Sequence, residues 1–146
     1  MIDEIDRKIL RTLANNGRIS FKDLGERVHL SPNATAERVR RLEDLKVIAG
    51  FAARIDLSLL GKPLDAYIDV RMQPGTAADI FERAVLKIPG VVAFAILTGE
   101  FDCRVRVACE DQRDLMRVIE ALRASGGVQG TNTTIICREA TSGSLL

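Results

Sequence analysis

This chain of 146 residues has no Trp, one Tyr, five Phe and a single His. With aromatics at 4% there is little to build a stacking platform for single-stranded nucleic acid. The lone His29 leaves no Ser/His/Asp constellation, and neither a Gly-rich phosphate loop nor metal-ligand spacing is present, so no catalytic residue, metal or cofactor is expected. No stretch approaches the roughly 18 uninterrupted apolar residues of a membrane helix. MIDEIDRK lacks the basic-then-apolar order of a secretory signal, which makes a cytoplasmic location the expectation. Three cysteines, an odd number, argue against a disulfide framework. Cys103, Cys109 and Cys137 all fall on expected strands and are read as small apolar residues. Charge of one sign is also missing. The net is +1 overall, +2 over residues 1–50 and −1 over residues 51–146, so any affinity for nucleic acid must come from a local cluster.

Such a cluster lies in residues 18–48, RISFKDLGERVHLSPNATAERVRRLEDLKVI. Ser20 followed by Asp23 signals a helix start, with Leu24 and Val28 on its apolar face and Phe21 nearby. The chain turns through His29 and Leu30. Ser31 is placed to cap a second helix, with Pro32 at a first position where no amide hydrogen bond is lost. Thr35, Val39 and Leu42 make a buried stripe. Asn33, Ala34, Glu37 and Arg41 point away on the helical wheel, with Arg38 and Arg40 on the flanks. An earlier helix is expected over residues 3–15, ended by Asn15-Asn16-Gly17 with Gly17 as a left-handed stop. This is the layout of a helix-turn-helix whose second helix enters a major groove, and it makes double-stranded DNA the leading partner.

After residue 50 the period changes. Phe51–Ile55 reads as a short strand, followed by a connector to Gly61 and Pro63. LDAYIDVRM alternates apolar and polar as a half-buried strand does. Thr76 is expected to cap a helix carrying Ile80, Phe81, Ala84, Val85 and Ile88. VVAFAILT is a continuous apolar strand, expected to be covered on both faces. CRVRVAC alternates again, a helix follows from Asp111 to about Ala124, and residues 128–139 form a last strand. The order β-α-β-β-α-β is the split βαβ of a ferredoxin-like sandwich. One sheet face carries the helices, and a second copy of the same sheet is the simplest cover for the other. The fold class is therefore α+β. A helix-turn-helix (winged-helix-like) domain over 1–50 joins, through a strand and linker at 51–63, a ferredoxin-like domain over 64–146.

Several motifs in this order resemble the Lrp/AsnC family of bacterial and archaeal transcriptional regulators, from about residue 3 to residue 138. Asp3-x-x-Asp6-x-x-Ile9-Leu10 is similar to the family's opening, and Gly17-Arg18-Ile19 to its first turn. Leu30-Ser31, Arg38-Val39-Arg40-Arg41-Leu42-Glu43 and Val47-Ile48 resemble its recognition helix and exit. Gly99-Glu100-x-Asp102 resembles the hairpin near its effector site, and Gly127-Val128 with Thr131 and Thr133 its final strand. The resemblance implies a sequence-specific regulator that dimerises through its sheet faces and assembles further into tetramers or octamers. It also implies a small effector, usually an amino acid, bound where dimers meet. Carried over by position, Gly99, Glu100, Asp102, Thr131 and Thr133 would line the pocket. A carboxylate would take the ammonium group, and hydroxyls and backbone the carboxylate. On the DNA side Arg38, Arg41 and Asn33 are the candidates for base or groove contacts, and Arg40 with Ser31 for phosphate.

Three positions depart from the family pattern: Cys103 for an aromatic residue, Lys46 for a helix-ending Gly, and Gly25 for Ala. Two other readings remain. One is an architectural DNA-binding protein without an effector; the other is an enzyme resembling the siroheme decarboxylases, which share this two-domain plan.

Overall fold

A computed structural model describes residues 1–141; the last five residues of the expected 64–146 domain lie outside the described residues. The chain divides into two compact units, one built on residues 1–54 and the other on residues 55–139.

Three helices make the first unit: α1 (Glu4–Asn15), α2 (Phe21–Val28) and α3 (Pro32–Asp44). Ile9, Leu24, Val28, Val39 and Leu42 are buried at its centre, with Ile2, Ile5, Leu10, Leu13, Ile19, Leu30 and Ile48 packed around them. Asp3 opens α1 with a reciprocal capping box, each carboxylate of Asp3 and Asp6 accepting the other's backbone N–H. Ser20 caps α2 by accepting from Asp23 N–H at 3.0 Å. The short Asp23 carboxylate does not return to a backbone N–H but accepts the Ser20 hydroxyl at 2.7 Å. Phe21, expected beside the buried face, is 46% exposed.

The end of α1 differs from expectation. Asn16, not Gly17, closes it, in a non-helical conformation (φ −145°, ψ 87°) with its N–H on Thr12 O, and Gly17 is not left-handed. A Cβ on Gly17 would lie 3.3 Å from the Phe51 ring, so the glycine serves packing. No strand forms at 51–55, whose residues are all exposed. Nothing in this unit offers an edge for it to pair with, so the unit has no β wing among its described residues.

The second unit follows the expected β-α-β-β-α-β order: β1 (Leu64–Met72), α4 (Ala78–Val85), β2 (Val91–Ile96), β3 (Cys103–Cys109), α5 (Gln112–Ala124) and β4 (Val128–Ile135). The strands lie in the order β2-β3-β1-β4 with antiparallel neighbours. Ala66, Ile68, Val70, Cys103, Val105, Val107 and Cys109 line one face and pack on Phe81, Val85, Leu115, Val118, Ile119 and Leu122 of the helices. The Phe81 and Phe94 rings meet at 6.2 Å and 60°, a tilted contact that anchors α4 on the sheet. Thr76 does not cap α4. Ala77 holds the cap position without a side-chain bond, and the Thr76 hydroxyl turns to Gly127 O at 3.4 Å.

The other sheet face is charged. Arg104 pairs with Asp69 directly opposite it on β1, and Arg106 with Asp65 on the diagonal, both bidentate. Both guanidiniums also sit over the Tyr67 ring, at 5.9 and 4.9 Å from its centroid. Strand β2 is corrected from expectation: it is not covered on both faces. It forms one edge of the sheet, where Val92, Ala93, Ala95 and Ile96 are exposed.

Candidate nucleic-acid and effector sites

Helix α3 starts where Ser31 Oγ accepts from Ala34 N–H at 3.2 Å and Pro32 fills the first turn. Thr35 is wholly buried, its hydroxyl donating to Ser31 O at 2.9 Å. Between α2 and α3 the backbone passes through left-handed His29 (φ 59°), and Leu30 N–H returns to Gly25 O at 2.9 Å. Here Gly25 is required by space. A Cβ on it would stand 2.6 Å from Leu30 O and 3.0 Å from Thr35 Oγ1, which accounts for the departure from Ala. The helix ends in a Schellman turn, with Lys46 N–H on Glu43 O and Val47 N–H on Leu42 O, both at 2.9 Å. Lys46 takes the left-handed position (φ 57°) where a glycine is favoured.

The arginines divide into two groups. Asp6 has no exposure. One of its oxygens accepts from Arg38 Nη1 at 2.9 Å, and the other from Arg41 Nη2 and from Asp3 N–H. Arg38 Nη1 also donates to Asp3 Oδ2 at 2.7 Å. That hydrogen bond is the largest cause of an Asp3 carboxyl held down to about 2, and it raises the Arg38 guanidinium further above its ordinary value. Arg41, placed outward by the helical wheel, therefore reaches back to α1, although its side chain is still 47% exposed. Arg40 is exposed and has no ion pair or hydrogen bond among the described residues. Asn33, Glu37 and the Ser31 cap share its exposure. The α1–α3 clamp was hidden in the sequence. Its only trace was the Asp3-x-x-Asp6 spacing facing Arg38 and Arg41, three apart on another helix.

In the second unit the hairpin between β2 and β3 closes through Leu97 N–H to Asp102 O at 2.8 Å, with Gly99 at φ 135°. Asp102 docks the hairpin onto β1: its N–H donates to Val70 O at 3.0 Å, and its carboxylate accepts Met72 N–H at 2.6 Å. Glu100 accepts from Arg71 Nη2 at 2.9 Å, and Arg71 lies 5.6 Å from the Phe101 ring centroid. Arg71, Phe101, Gln129, Gly130, Thr131 and Asn132 line an open surface cavity of about 300 Å³. Thr131 accepts from Arg123 Nη2 at 3.0 Å. Of the five residues carried over by position, Thr131 lines this cavity and Glu100 meets it through Arg71. Gly99, Asp102 and Thr133 do not line it. Arg71 escaped sequence reading because only the β1–β4 register, Arg71 opposite Gly130, brings it there. Cys103 is sealed beneath the hairpin. Burial, with Asp102 and Asp69 nearby, pushes its thiol up to about 11. No group of three or more His, Cys, Asp and Glu side chains suited to a metal gathers among the described residues.

Comparison with known proteins matches this two-part plan. Residues 2–43 match the AsnC-type helix-turn-helix domain, and residues 65–146 the Lrp/AsnC ligand binding domain. The chain belongs to the Lrp/AsnC family of transcriptional regulators. Among Lrp/AsnC relatives, the HTH-type transcriptional regulator Rv2324 of Mycobacterium tuberculosis is 33% identical over 92% of this chain and 91% of its own length. AldR of Mycolicibacterium smegmatis is 37% identical over 92% of this chain and 81% of its own. A solved Lrp/AsnC-like structure, the transcriptional regulator NMB0573 of Neisseria meningitidis in complex with L-Met, superposes with a TM-score of 0.91. It is 30% identical and covers 100% of this chain and 96% of that one. The feast or famine regulatory protein Rv3291c of M. tuberculosis, complexed with L-methionine, gives 0.89 at 30% identity over 97% and 96%. No described helix is long and apolar enough to cross a membrane.

Proposed function

We propose that this regulator reads duplex DNA through the exposed face of α3 and that an amino acid bound in its second unit controls that reading. Arg40 and Asn33 lead the DNA contacts, with the Ser31 helix start meeting a phosphate. Arg38 and Arg41 act from the clamped flank. For the effector, the supporting observation is the Arg71–Glu100 pair at 2.9 Å beside the cavity. It sets one cation and one anion side by side, the complement of an amino-acid zwitterion. The carboxylate takes Arg71 bidentately and the ammonium group takes Glu100. Thr131 adds a hydroxyl, while Gly99, Asp102 and Thr133 shape the hairpin and strand around it. L-methionine in two related proteins is consistent with this ligand class.

A second copy packing on the charged sheet face completes the assembly, a two-fold arrangement in which the Asp65, Asp69, Arg104 and Arg106 lattice meets itself. An effector at an assembly contact acts only through its difference in affinity between assembly states. Calorimetry against the twenty amino acids, with Arg71→Gln in parallel, tests the reading. Binding of one or a few amino acids that Arg71→Gln abolishes supports it. No binding by any of the twenty removes the effector and leaves an architectural DNA-binding protein.

A further inference from the structure

The two oxygens of Asp3 have different partners. Oδ1 caps α1 by accepting Asp6 N–H at 2.8 Å. Oδ2 holds Arg38 Nη1 at 2.7 Å, even though Asp6 already holds the same nitrogen at 2.9 Å. The two carboxylates match the two guanidiniums, and the quartet is neutral. Asp6 is wholly buried, whereas the Asp3 side chain is 48% exposed and that of Arg38 28% exposed. Solvent therefore reaches the Asp3–Arg38 contact but not the Asp6 carboxylate. An exposed anionic oxygen on the N–H of a recognition-helix arginine has the charge and hydrogen-bonding character of a DNA phosphate oxygen.

We propose that Arg38 carries a site for a backbone phosphate of duplex DNA, and that Asp3 occupies this site in the free protein as an internal competitor. The proposal rests on α3 being the reading helix. Duplex binding exchanges Asp3 for phosphate at Arg38, while Asp6 keeps the guanidinium aimed. Asp3 therefore lowers affinity for any duplex and reduces the number of counterions that binding releases. The competing contact is half exposed, so its removal strengthens binding by about two- to fivefold at low salt.

The test uses the full chain and a random-sequence duplex over a range of salt. Asp3→Asn removes the charge but keeps a good N-cap, and Asp3→Ser is a second capping variant should the first fold poorly. The expected result is tighter binding, with the slope of log K against log salt steeper by roughly one, the signature of one more phosphate neutralised. The gain disappears in the Arg38→Gln background. Glu4→Gln makes the same change of charge one residue away, where the acid faces Arg11 at 3.8 Å, and does not steepen the slope. Unchanged affinity and slope in both Asp3 variants overturn the proposal, as does a gain that survives Arg38→Gln. If Arg40→Ala still weakens binding in that case, the reading helix stands and only the competitor is wrong. If Arg40→Ala is also silent, the reading helix falls with it.

Discussion

Replacing Asp6 by Asn takes one negative charge from a site without access to water. The native carboxylate accepts three hydrogen bonds, from Arg38, Arg41 and Asp3 N–H. An amide has one acceptor oxygen, so in either orientation its NH2 faces at least one guanidinium or the Asp3 N–H as a second donor. Stripping the partner from a fully buried ion pair costs roughly 3–5 kcal/mol. The cost here is smaller, because Arg38 keeps Asp3 and because the Arg38 and Arg41 side chains are 28% and 47% exposed. About 2–3 kcal/mol is the expected loss. At roughly 0.05–0.15 kcal/mol per residue, a fifty-residue unit has only a few kcal/mol in total. The substitution therefore brings the first unit close to its unfolding threshold and leaves the second intact. Native-state hydrogen exchange reads the two separately. The Leu24 and Leu42 amides lose protection, while those of Val105 and Val107 keep theirs. A loss below about 0.5 kcal/mol at Leu24 and Leu42, the level of an ordinary surface change, refutes the view that this carboxylate holds α1 to α3.

Lys46→Gly relieves the left-handed backbone at the end of α3 and raises the stability of the first unit by about 1 kcal/mol; a lower melting temperature contradicts this. Native protein at pH 8 reacts with iodoacetamide at Cys137 alone, since Cys137 is exposed whereas Cys103 and Cys109 are buried with raised thiol values. Labelling of Cys103 before unfolding contradicts the sealed hairpin. Asp3 is held at about 2 against an ordinary 3.8. A depressed folded value means that its stabilisation is complete above about pH 4 and is lost as pH falls through about 2. Carboxyl chemical shifts follow that titration, and an Asp3 midpoint near the ordinary value shows that Arg38 does not engage it in solution.

Local signals made much of this molecule legible. Ser20, Ser31 and Pro32 marked helix starts, the Thr35–Val39–Leu42 stripe gave the buried side of α3, and period-two alternation located β1 and β3. Residues far apart in sequence were not legible. The Asp6–Arg38 pair spans 32 positions, and a wheel drawn for one helix has no knowledge of a buried acid on another. Arg71 reads as an outward strand residue until pairing with β4 puts it beside Thr131 and Asn132. The apolar run VVAFAILT suggested a covered strand because composition reports hydrophobicity, not a place at the sheet edge. Phe51–Ile55 carries a strand's residues but has no partner within the described chain. Gly17 reads as a left-handed stop and Gly25 as a departure from Ala, yet both are set by space, against the Phe51 ring and against Leu30 O. The hairpin motif lies beside a cavity in the second unit, but that cavity is walled by neighbours of the motif more than by the motif itself.

Selection of bound sequences from a random duplex library, by the full chain and by Arg40→Ala in parallel, tests the central claim most directly. A regulator reading DNA through α3 as a two-fold assembly enriches one recurring, roughly palindromic motif, and Arg40→Ala loses that enrichment. Recovery of the library without any enriched sequence, or the same motif enriched equally by Arg40→Ala, contradicts the account.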